Sequence, residues 1–81
     1  MEKNTAKLRW RCRRGSLELD RLLMRYLEQG YPGALGPERF AFEALLELED
    51  LVLARYLFGT QVPACQIQQG VIKKIAAFQK G

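Results

Sequence analysis

The chain has 81 residues, 48% of them apolar and 27% charged, a net charge of +4 and no histidine. That size and composition suit one small folded domain with a soluble surface, spanning residues 1–81, and no apolar run approaches the roughly 18 residues of a membrane span. Lack of histidine removes the commonest general base and metal ligand, and two distant cysteines, Cys12 and Cys65, supply neither a zinc pattern nor a disulfide framework.

Thr5 to Arg13 reads as a short helix with Leu8 and Cys12 four apart on one side and Trp10 near the basic face. Gly15 breaks it. Ser16 to Gln29 reads as a stronger helix, because Leu19, Leu22, Leu23, Tyr26 and Leu27 recur at 3.6-residue spacing, and Gly30 is expected just past its end. The turn-rich run Gly30 to Pro37 leads to a third helix, Pro37 to about Leu48. Its expected inner face is Phe40, Ala41, Ala44, Leu45 and Leu48. Asp50 is expected to cap a helix Leu51 to Phe58, buried through Leu53, Tyr56 and Leu57 and stopped by Gly59. The last helix, Ala64 to Gln79, is expected to turn Ile67, Val71, Ile72, Ile75 and Phe78 inward. No strand-length alternation occurs, so the expected fold class is all-α, a compact bundle of about five short helices.

The charge is unevenly spread. Residues 1–25 hold eight basic and three acidic groups, residues 26–60 two and six, and residues 61–81 three and none. Basic ends flank an acidic middle, which would orient an electrostatically complementary partner. The N-terminal stretch lacks the apolar core of a secretory signal and is expected to be neither that nor a transit peptide. With free thiols, a reducing, cytoplasmic setting is expected.

One segment concentrates possible chemistry: Arg14-Gly15-Ser16-Leu17-Glu18. Arg14 and Glu18, four apart, are expected to face one direction across a helix start, beside a glycine whose bare backbone another molecule can approach. A forked donor, a carboxylate and an open backbone patch together suit docking on polar groups. The plainer reading is a hinge glycine beside an exposed ion pair contributing under about 1 kcal/mol. Cys12 between two arginines reads as a semi-buried helical residue rather than an activated thiol. Trp10 reads equally as an interface anchor or a lid on the small core. Tyr26, Tyr31 and Tyr56 read as packing residues with water-exposed hydroxyls.

The run Trp10-Arg11-Cys12-Arg13-Arg14-Gly15, followed by Glu18-Leu19-Asp20, resembles the small FAD assembly factors of succinate dehydrogenase, the SdhE family, whose hallmark Arg-Gly-x-x-Glu aligns with Arg14, Gly15 and Glu18. The resemblance extends over residues 7–59, through a loop near Tyr31 and the acidic stretch Leu45 to Asp50. In relatives a proline often follows the acidic pair, whereas here Asp50 runs directly into Leu51. The resemblance implies a chaperone-like helper rather than an enzyme, with no catalytic or metal-binding residues. Such a helper binds the flavoprotein subunit of succinate dehydrogenase, in some bacteria also of fumarate reductase, and promotes covalent FAD attachment to a histidine of that subunit. It implies that Arg14, Gly15 and Glu18, with Arg13, Trp10 and Asp20 around them, form the partner-binding surface. It also implies that no cofactor is stably bound: FAD is attached on the partner.

A monomer is expected, and a domain of this mass exposes on the order of 5,000 Å², of which a standard interface of about 800 Å² takes a sixth. Two rival classes remain at this stage. One is an antitoxin-like protein-binding module. The other is a small nucleic-acid-binding protein using Lys7, Arg9, Arg11, Arg13, Arg14, Arg21 and Arg25, disfavoured because Glu18 and Asp20 interrupt the patch and no nucleic-acid-binding motif is present.

Overall fold

The leucine stripe of residues 19–27 forms the buried face of a helix, α2, spanning Leu17–Gln29, with Glu18 and Asp20 in its electropositive first turn. In the computed structural model, which describes residues 2–80 and side chains from residue 6 to 79, α2 follows α1, Glu2–Arg11. A 3-10 turn at Tyr31–Gly33 leads to α3, Gly36–Leu45; then come α4, Asp50–Leu57, and α5, Gln66–Ala77, which runs into a 3-10 turn at Phe78–Lys80. The described residues thus form the expected five-helix bundle, without a strand. Met1 and Gly81 lie outside the described residues.

The last helix, α5, packs on α2, α3 and α4, and the core is one cluster running from Leu8 and Cys12 of the first segment to Ile75 of the last. Two side chains from separate helices meet at the carboxylate of a third. Glu38 of α3 accepts from the Tyr26 hydroxyl of α2 at 2.8 Å and from Lys74 Nζ of α5 at 2.9 Å. Tyr31 likewise donates to Glu43 at 2.7 Å.

The expected boundaries shift in ways the backbone explains. The first helix stops at Arg11, and Arg13 N–H bonds Trp10 in a turn. The third stops at Leu45 rather than Leu48, because Leu46 to Leu48 unwind into turns whose amides bond Phe42, Ala44 and Leu45. Asp50 is the first residue of α4 and Glu49 holds the cap position, so the expected Asp50 cap is displaced by one. Gly30 caps α2 at φ −102°, outside the left-handed region. It leaves room for the Tyr26 ring, which a Cβ there would meet at 2.6 Å.

Phe40 is the main correction to the core. It is 74% exposed, while Phe42 is fully buried, its ring 4.7 Å from Tyr26 and 5.7 Å from Tyr31. Residues two apart on a helix lie about 200° around the axis, so the two rings cannot share one face. Phe42 has the aromatic partners. Ile67 is also exposed and Tyr56 only half-buried, whereas Leu53, Leu57, Val71, Ile72 and Ile75 are buried as expected.

Candidate docking site at the Gly15 kink

Between α1 and α2 the chain turns at Gly15, whose φ is +81°. L-residues with a side chain pay about 1–2 kcal/mol in that region, and glycine does not. Nothing lies within 4 Å of where a Cβ would stand, so the kink presents bare backbone to open space.

Arg14 is engaged with the protein's own backbone. Its Nε donates to the Arg11 carbonyl at 2.9 Å and its Nη1 to the Leu48 carbonyl at 2.7 Å. Its Nη2 donates to the Leu46 carbonyl, and Nη1 also pairs with Asp50 Oδ1 at 3.3 Å. Its side chain is only 12% exposed. The carbonyls of Leu46 and Leu48 follow the end of α3, where a helix leaves acceptors without partners, and the forked guanidinium satisfies two at once. Arg14 N–H donates to Asp20 Oδ1 from the other side. Arg14 therefore clamps the 46–50 loop against the kink, and Asp20 holds the kink to α2.

The expected pairing of Arg14 with Glu18 does not form. Helical four-residue spacing needs helical backbone between the two residues, and α2 begins only at Leu17. Glu18 is exposed on the first turn of α2, and Asp20 is half-buried. What the structure brings to the surface around Gly15 is Arg13, Glu18 and Trp10, with Trp10 72% exposed. Trp10 is therefore no lid on the core. The guanidinium carbon of Arg13 sits 5.9 Å from its ring centre. The two line an open recess of about 440 Å³ together with Arg11, Arg14, Leu46 and Glu47. Leu17 and Leu51, the first apolar residues of α2 and α4, are also strongly exposed.

Sequence reasoning missed the Arg14 clamp and the exposure of Leu17 and Leu51. The available signal was the end of α3, a helix terminus with neither glycine nor a basic residue of its own to satisfy its carbonyls. Cys12 is fully buried rather than semi-buried, and burial pushes its thiol up to about 11 against the opposing pull of Arg14 and Arg9. Among the described residues no cluster of acids and cysteines could hold a metal ion, and no helix is long and apolar enough to cross a membrane.

Fold and site define a small all-helical domain that presents a kinked aromatic and charged surface and secures that kink from within. The family described as flavinator of succinate dehydrogenase matches residues 6–79, and the chain belongs to it. It is 39% identical over 69 residues to the FAD assembly factor SdhE of Coxiella burnetii, covering 85% of this chain and 84% of that protein. With the FAD assembly factor SdhE of Methylococcus capsulatus it shares 49% identity over 57 residues, covering 70% and 69% of the two chains. With that of Xylella fastidiosa it shares 48% over 60 residues, covering 74% and 60%. No solved structure matches the chain.

Proposed function

We propose that this chain is an FAD assembly factor that docks through the Gly15 kink on the flavoprotein subunit of succinate dehydrogenase and promotes covalent attachment of FAD there. The observation that carries the reading is the open kink itself, in a chain of the flavinator family: bare backbone at Gly15, with Trp10, Arg13 and Glu18 exposed around it.

The chain acts as a positioning partner and contributes no acid, base or nucleophile to the bond that forms. Flavin and acceptor histidine both belong to the client. The helper holds the client's flavin domain where the two meet, and orientation of this kind lowers a barrier by several kcal/mol. Arg14 serves by fixing the kink, and Gly15 by letting the client's surface come close. The chain works as a monomer: a standard interface of about 800 Å² per partner takes roughly a seventh of its 5542 Å² surface. A fumarate reductase flavoprotein is a second client of the same chemistry.

The nucleic-acid reading loses ground because Arg9, Arg11 and Arg14 are engaged with Glu28, Glu47 and Asp50. Deleting the gene and measuring covalent flavin on the succinate dehydrogenase large subunit tests the proposal. Flavin should fall and return on complementation. Unchanged flavin would refute it, and recovery of a toxin rather than a flavoprotein in a pull-down would favour the antitoxin-like module.

A further inference from the structure

We infer that the adjacent arginines divide the work of the kink: Arg13, lying over Trp10, binds a carboxylate of the docking flavoprotein, while Arg14 acts only through the fold. The inference rests on the reading that a flavoprotein docks here, and it names the chemistry of the contact.

The charges of the recess point to it. Three cations line the recess, Arg11, Arg13 and Arg14, with one anion, Glu47. Arg11 is paired with Glu47. Arg14 is almost covered and bonded to three carbonyl oxygens and Asp50. Arg13 alone of the three has no acidic partner among the described residues, and it is exposed. The recess thus offers one uncompensated positive charge beside one exposed indole.

Contact with an aromatic ring restrains the long arginine side chain, and the planar guanidinium still has N–H groups for two-point bonding. Two parallel N–H groups match the spacing of carboxylate oxygens. The indole supplies apolar area of the kind that anchors interfaces, and the ion pairs and clamp around it form a polar rim. The occupant that fits is a segment of the flavoprotein in which an acidic side chain stands next to an apolar one, the acid on Arg13 and the apolar group on Trp10. A run of phosphates fits the recess poorly, since of its three cations only Arg13 is free of an acidic or carbonyl partner among the described residues.

The test is binding of the full chain to the purified flavoprotein subunit of succinate dehydrogenase at low and high salt, with melting temperatures of each free variant. Arg13→Ala should weaken binding about tenfold and flatten its salt dependence, and Arg13→Glu should weaken it further, both melting as wild type does. Arg13→Lys should restore part of the affinity, since it keeps the charge and loses the fork. Trp10→Ala should weaken binding with an unchanged salt dependence. Arg14→Ala should lower the melting temperature. Wild-type affinity in Arg13→Glu, a lowered melting temperature in the Arg13 variants, or an unchanged one in Arg14→Ala would each overturn the division of roles while leaving the docking function standing. Failure of the wild-type chain to bind would overturn the docking function itself, and this inference with it.

Discussion

Arg14 donates from Nη1 to the carbonyl oxygen of Leu48 at 2.7 Å, across a separation of 34 residues. That bond and its companions to Leu46 and Arg11 tie the end of α1 and the kink to the loop that follows α3. Removing the side chain leaves half-buried carbonyls without donors. Hydrogen bonds from a charged group are worth about 1.5–3 kcal/mol, and Arg14→Ala is expected to cost that much in urea unfolding. Arg14→Lys should recover less than half, since an ammonium group cannot reach two divergent carbonyls in the plane of a fork. A variant as stable as wild type would show that the clamp does not hold the fold.

The meeting of Tyr26, Glu38 and Lys74 makes stability depend on pH at both extremes. Hydrogen bonding from Lys74, and then from Tyr26, holds the Glu38 carboxyl below its ordinary value of 4.5. A lowered folded pKa stabilises the fold above the unfolded value, and that contribution disappears as pH falls through the lowered one. Tyr26 behaves oppositely. Burial, and then its bond to Glu38, raises its hydroxyl well above the ordinary 10.0, and Tyr31 is pushed up to about 12, by burial first and then by its bond to Glu43. Their contribution is full below pH 10 and is lost as pH climbs from there through the raised values. Urea midpoints across pH should therefore fall below about 4.5 and above about 10. Glu38→Gln should flatten the acid limb, and Tyr26→Phe the alkaline one. An alkaline limb equally steep in Tyr26→Phe would remove the tyrosine from the account.

The helices were legible because their apolar spacing is local information, and α2 emerged with all five of its stripe residues buried. The choice between Phe40 and Phe42 was not legible. Both fit a helix, and only the Tyr26 and Tyr31 rings across the core decide which turns inward. The same limit applied at the site. The sequence located the glycine break, yet it placed Arg14 on the exposed surface, and three of the partners that turn Arg14 inward, Leu46, Leu48 and Asp50, lie 32 to 36 positions away, beyond any spacing rule. The two phenylalanines test this directly. Phe42→Ala should cost about 3–5 kcal/mol through the cavity it leaves, and Phe40→Ala under about 0.5 kcal/mol. Equal losses in urea unfolding would mean that the core is built otherwise.

Gly15 and Gly59 separate strain from docking. Both have positive φ, +81° and +89°, and both face open space where a Cβ would stand. An alanine at either position meets the same backbone penalty of about 1–2 kcal/mol without a steric clash. Only at Gly15 would the added methyl group stand on the proposed docking surface. Gly15→Ala and Gly59→Ala should therefore lose similar stability in urea. Only Gly15→Ala should lower covalent flavin on a co-expressed flavoprotein subunit. Matching flavin losses in the two variants would trace the defect to stability, because a less stable helper is depleted wherever its backbone is strained. A loss confined to Gly15→Ala would place the client's surface against the bare backbone of the kink.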